Sequence, residues 1–139
     1  MKHSFEQKVF YSDTDAYGVV WHGAYLRWLE MGRVYWCEKL GYKLQELKEQ
    51  NIVLPVTNLN IRYGRSAKLD DILKIETSVF TFNGTTVTFK QEIFANGNDK
   101  PYVTAEVEVA AIRADSGLLY RKMPEILAKE FEKELLCPV

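Results

Sequence analysis

Four consecutive segments of this chain alternate apolar and polar residues with period two, and they follow a single long apolar stretch of helical spacing. Thr57, Leu59, Ile61 and Tyr63 share one side of the first segment, opposite Asn58, Asn60 and Arg62. Leu73, Ile75, Thr77 and Val79 repeat the pattern, as do Val87, Phe89, Gln91 and Ile93, and then Val103, Ala105, Val107 and Val109. Such alternation is the mark of half-buried antiparallel strands. Asn83-Gly84 and Asn96-Gly97 are hairpin signals between them. Residues 6–12 predict one further strand, with weaker alternation, ahead of the helical stretch.

From about Ala24 to Leu40 the chain holds no proline, and Tyr25, Trp28, Leu29, Gly32 and Trp36 recur at helical spacing, with other apolar residues on most remaining sides. A helix apolar nearly all round is buried nearly all round. Gly41 is placed to end it in a left-handed conformation. A short helical turn is predicted over 43–50. Pro124 opens an amphipathic C-terminal helix with Leu127, Phe131 and Leu135 at i, i+4 and i+8. An antiparallel sheet with one apolar face must cover that face, and one long apolar helix is available to do it. The predicted class is therefore α+β: a sheet of about five strands wrapped around a long central helix, as one domain over residues 1–139.

Charge narrows the function. Eighteen Lys plus Arg stand against 19 Asp plus Glu, so the chain lacks the basic field that nucleic-acid binding uses. Cys37 and Cys137 match no metal or redox spacing, and a cytoplasmic thiol protein is the expectation. The first eleven residues carry Glu6 and no apolar core of a signal peptide. No apolar run approaches the length of a membrane span.

The chemistry concentrates in Tyr11 to Arg33, YSDTDAYGVVWHGAYLRWLEMGR. A carboxylate held just before a buried helix lies close to backbone N–H groups that have no intrahelical partner. Those groups and the helix dipole can stabilise a carbonyl oxygen as it becomes an oxyanion. The carboxylate can attack the carbonyl carbon or activate a water to do so. The assembly suits acyl transfer to water.

These residues also carry a resemblance. The run D-T-D-A-x-G-V-V-x-H-x-x-Y-L-x-x-x-E-x-x-R, from Asp13 to Arg33, resembles the hotdog-fold acyl-CoA thioesterases of the 4-hydroxybenzoyl-CoA thioesterase and YbgC-like class. A second match runs from Tyr63 through Gly64-Arg65-Ser66-Ala67 to Asp70-Asp71. The resemblance implies a hotdog fold and hydrolysis of an acyl-CoA thioester. Coenzyme A then belongs to substrate and product, and neither a separate cofactor nor a metal is implied. It implies Asp15 as the catalytic carboxylate and a carbonyl-binding N–H at His22 or Gly23. It also implies subunits that pair to extend the sheet, with the site between them, as a homodimer or homotetramer.

Each residue has a plainer reading beside the functional one. Asp15 can cap a turn, but the surrounding motif favours catalysis; Asp13 is the structural partner, bonding loop amides. His22 is either a proton relay or a residue that orients the loop. Gly18, with Val19 beside it on the substrate side, permits a tight backbone. Glu30 is a second candidate base, against a buried acid paired with Arg33 at i+3; the pairing is the favoured reading. Tyr25 and Trp28 share a helix face and either wall the acyl pocket or pack the core. Arg65 and Ser66 either approach a neighbouring subunit's site or serve as a strand-end ion pair and a turn hydroxyl. The Asn83-Gly84-Thr85 turn carries no charge, whereas some relatives hold coenzyme A phosphates there. That leaves Arg62, Arg65, Lys68, Lys90 or Lys100 for that task, and keeps an acyl-carrier-protein substrate open. A hydratase would need acid–histidine motifs not found here. A non-catalytic acyl-thioester-binding domain is the rival of another class.

Overall fold

The computed structural model describes residues 1–136, so Cys137 lies outside the described residues. The element order is β1 (His3–Lys8), α1 (His22–Lys39), α2 (Leu44–Glu49), β2 (Val56–Tyr63), β3 (Ile72–Phe82), β4 (Val87–Ala95), β5 (Val103–Val109) and α3 (Glu125–Leu136). The five strands form one antiparallel sheet in the order β1-β3-β4-β5-β2. This is the α+β hotdog arrangement that the alternating segments and the lone apolar helix predict.

The register puts Leu73, Ile75, Thr77, Phe89, Gln91, Ile93, Ala105 and Val107 on the inner face, all buried. Against that face α1 lies across β3, β1 and β4. It can approach closely because Gly32 has no side chain: a Cβ there would stand 2.6 Å from Thr77 Oγ1 and 2.9 Å from Gln91 Nε2. Trp28, Leu29 and Trp36 fill the space on either side, at 0–1% exposure. The helix ends as its sequence predicts. Gly41 takes φ +96°, its N–H bonds Glu38 C=O, and the Tyr42 N–H bonds Cys37 C=O, which is a Schellman ending. In α3, Phe131 stacks on Trp36 at 5.8 Å and meets Phe82 and Phe89, so this helix plugs one end of the core.

Several sequence expectations are corrected. The first strand is His3–Lys8 rather than 6–12, because Asp13 folds the chain back: its carboxylate accepts the Phe10 N–H and its own N–H bonds Phe10 C=O. The central helix begins at His22, two residues before the predicted start, since Trp21 is its extended N-cap (φ −73°, ψ 148°). Leu135 is exposed although Leu127 and Phe131 are buried. The β2 segment is not half-buried. Val56, Leu59 and Tyr63 remain 46%, 39% and 44% exposed, because α1 lies over the other strands; at β2 it offers Tyr25 against Tyr63, with centroids 5.7 Å apart. At the other end of the sheet, Tyr35 of α1 packs edge-on against Phe5 of β1 at 4.9 Å.

Candidate active site

The two sequence motifs that lie some forty residues apart are stitched together at the start of α1. Val20 N–H bonds Ala67 C=O at 2.9 Å, and Ala67 N–H in turn bonds the buried Tyr25 hydroxyl oxygen at 2.9 Å. Val19 pairs with Lys68 in an isolated bridge, and the Tyr63 hydroxyl donates to His22 C=O at 3.4 Å. Burial raises the Tyr25 hydroxyl above its ordinary pKa, partly offset by the bond from Ala67, so it stays a neutral phenol. Asp70 and Asp71 complete the second motif as a turn. Asp70 takes φ +69°, while Asp71 accepts the Lys68 N–H and the Asn96 side-chain amide. Their recurrence as a pair is thereby a matter of turn chemistry.

Asp13 bonds a loop amide, as expected of it. Asp13 is 3% exposed, and besides the Phe10 N–H it receives Arg27 Nη2 at 2.6 Å. Both of its oxygens are therefore engaged. Asp15 is exposed, with Oδ1 accepting the Tyr17 N–H at 2.8 Å and Oδ2 free of intramolecular partners among the described residues. Its backbone is fixed as well: Asp15 N–H bonds Val19 C=O, and the Gly18 N–H bonds Asp15 C=O with Gly18 at φ +80°. One oxygen is thus held by the loop while the other is open to chemistry. The same loop ends at Trp21, whose N–H bonds Asp13 C=O, and there α1 begins.

His22 and Gly23 occupy the first two positions of α1, so their N–H groups have no intrahelical acceptor. The N-cap supplies no side-chain acceptor either. The His22 ring is exposed and rests edge-on against Trp21, at 5.7 Å between centroids; no ion pair joins it to Asp15 among the described residues. Gly23 is crowded by the Trp21 side chain. A Cβ built on it would fall 2.1, 2.2 and 2.8 Å from carbons of the Trp21 indole, so that ring lies flush against the glycine.

The remaining candidates fall less neatly. Tyr25 and Trp28 are 3% and 1% exposed, T-shaped to each other at 5.7 Å, so both are core residues in the single chain. Glu30 is exposed and forms no ion pair with Arg33 among the described residues. The predicted buried pair is therefore absent, because Arg33 turns inward and donates to Gln91 Oε1 at 3.0 Å. Gln91, fully buried, donates in turn to Leu29 C=O and Thr77 Oγ1, both at 2.8 Å. A glutamine on the inward side of an otherwise apolar strand was the signal for this network. Arg65 lies over the Tyr102 ring at 4.8 Å, its N–H bonding Tyr102 C=O, and Ser66 is exposed beside it. Neither the Trp21–Gly23 contact nor the Tyr63–His22 bond is deducible from residue spacing.

A five-stranded antiparallel sheet around one long helix is the hotdog arrangement. The sequence model of the thioesterase-like superfamily matches residues 9–136, and the chain belongs to that family. Its similarity to individual proteins is consistent with this. The acyl-CoA thioesterase YbgC of Haemophilus influenzae is 42% identical over 67% of this chain and 69% of its own length. The acyl-CoA thioester hydrolase YbgC of Escherichia coli is 30% identical over 91% of this chain and 92% of its own. A solved DHNA-CoA thioesterase from Staphylococcus aureus superposes with a TM-score of 0.87 at 26% identity, covering 97% of this chain and 91% of that one.

Proposed function

We propose that this protein hydrolyses acyl-CoA thioesters, RCO-SCoA plus water giving RCOOH and CoASH, with Asp15 as nucleophile or general base. The observation that carries the reading is the half-engaged Asp15 carboxylate, anchored by Tyr17 on a loop that leads directly into the unpartnered amides of His22 and Gly23. Those amides polarise the thioester carbonyl, and the helix dipole adds to the effect. Tetrahedral collapse expels the coenzyme thiolate, a leaving group good enough to need no metal or redox assistance. His22 contributes its backbone N–H; its ring forms no ion pair with a carboxylate among the described residues. Arg65 and Lys68 lie on the loop that pairs with Val19 and Val20, and they are the cations best placed for the coenzyme phosphates. Release of free thiol from a panel of acyl-CoAs tests the reading, against acyl-carrier-protein thioesters in parallel. A purified protein that binds these thioesters and releases no thiol is the non-catalytic rival.

The indole of Trp21 against Gly23 belongs to this machinery. Gly23→Ala forces the ring away from the helix start, and a displacement of that order costs about tenfold to a hundredfold in kcat. Iodide quenching reads the same event, since Trp28 and Trp36 are buried and Trp21 is 43% exposed. Unchanged kcat together with unchanged quenching in Gly23→Ala contradicts it.

The bare β2 edge supports pairing of two subunits. An exposed edge strand with an apolar inner face is a template for another strand. A homodimer formed through β2 continues the sheet and covers Val56, Leu59 and Tyr63; a homotetramer is two such pairs. Leu59→Lys is expected to yield a monomer in sedimentation velocity and to lose most turnover. A wild-type monomer with full activity is the opposing result. Among the described residues no helix is long and apolar enough to cross a membrane, and the cytoplasm, where acyl-CoAs are made and used, is the proposed compartment.

A further inference from the structure

Arg33 occupies an unusual position for a cation. It is half-buried, its single hydrogen bond goes to the neutral Gln91, and no carboxylate of the described residues lies within ion-pair distance. Burial pushes the guanidinium below its ordinary pKa, with Glu30 partly offsetting the effect; an arginine stays charged regardless. Its orientation is fixed by two buried layers. Gln91 is itself pinned by Leu29 C=O and Thr77, so the guanidinium is held with its other N–H groups unclaimed. Those groups have no protein partner among the described residues and stay within reach of solvent or a ligand.

Arg33 lines a cavity of 250 Å³ between α1, the segment around α2, the start of β2 at Val56 and the β4–β5 part of the sheet. Leu44, Leu54, Phe89 and Val109 wall it, together with Cys37. Burial pushes the Cys37 thiol up to about 11, so it is a neutral, apolar wall at working pH. Glu30, exposed and three residues before Arg33, is the one anion among the lining residues. An apolar chamber with one pre-oriented guanidinium matches a ligand with an apolar body and one acidic group.

We propose that this cavity is a binding site for a carboxylate carried on a small apolar body, with Arg33 as the anion-binding residue and Gln91 as its positioning residue. Arg33 stands eleven residues beyond His22 along α1, roughly 16 Å of helix, so the site is separate from the same chain's reaction centre. The carboxylate has two possible sources. One is a free acid of the kind thioester hydrolysis releases; the other is the distal carboxylate of an acyl group.

Calorimetric titration of the full-length protein with octanoate and benzoate tests the site without reference to turnover. Wild type is expected to bind, Asp15→Asn to bind equally, and Arg33→Met to bind at least tenfold more weakly at an unchanged circular dichroism spectrum. Glu30→Gln, an exposed change that cannot endanger the fold, is expected to bind several-fold more tightly. If Arg33→Met fails to fold, Glu30→Gln decides: tighter binding supports the site and unchanged binding overturns it. No binding by wild type, or equal binding by a folded Arg33→Met, also overturns it. Competition separates the sources. A free-acid site keeps its octanoate affinity when a non-hydrolysable acyl-CoA thioether saturates the protein. A site for the distal carboxylate shows instead a selective loss of kcat/KM in Arg33→Met for glutaryl-CoA relative to butyryl-CoA.

Discussion

Asp15→Asn is expected to lower thiol release from acyl-CoA by at least about a hundredfold, the scale on which a positioned acid–base group acts, and further if Asp15 is the nucleophile. The fold should be untouched. Asp15 is exposed, and the asparagine carbonyl still accepts the Tyr17 N–H that shapes the loop. KM should change little, because the amides of His22 and Gly23, the proposed carbonyl donors, are unaltered; the loss then falls on kcat. Glu30→Gln is the companion variant. Glu30 lies on the solvent side of α1 with no ion pair among the described residues, so that variant should retain most of its turnover. An active Asp15→Asn beside an inactive Glu30→Gln transfers the chemistry from the loop to the helix.

Gly32→Ala is expected to destabilise the protein by about 1–3 kcal/mol, measured by thermal unfolding at constant pH. Two effects of opposite sign compete. Alanine in a helix interior gains about 1 kcal/mol over glycine through backbone entropy. Against this, the new methyl carbon would stand 2.6 Å from Thr77 Oγ1, 2.9 Å from Gln91 Nε2 and 3.2 Å from Ile75 Cγ2. Neither polar atom is a free side-chain end, since Gln91 and Thr77 are fully buried and bonded to each other, and Gln91 also bonds Leu29 C=O. Relief requires either lifting α1 from the sheet or breaking a buried hydrogen bond, and either outweighs the entropy gain. A rise in melting temperature would show that the helix is not held as close as the Gln91 network requires.

The same network shows where sequence reading stops. The inward side of β4 was legible as Val87, Phe89, Gln91 and Ile93, yet alternation does not say what a buried amide bonds. That partner is a carbonyl on α1 more than sixty positions away. The Glu30–Arg33 spacing likewise permits an i,i+3 pair, but spacing does not rank that pair against a buried acceptor across the sheet. The β2 segment alternates as well as its neighbours do and still lies exposed, because periodicity reports which residues share a face and not whether anything covers it.

Sequence alone determined the four alternating strand segments, the hairpin turns, the left-handed helix end at Gly41 and the candidacy of Asp15, since each depends on local propensity or on a contiguous motif. The meeting of Tyr63–Ala67 with the start of α1 needed the tertiary structure. So did the Trp21 ring on Gly23 and the inward turn of Arg33. Those arrangements rest on contacts between residues distant in the chain and on burial, which sets whether a charge must find a partner.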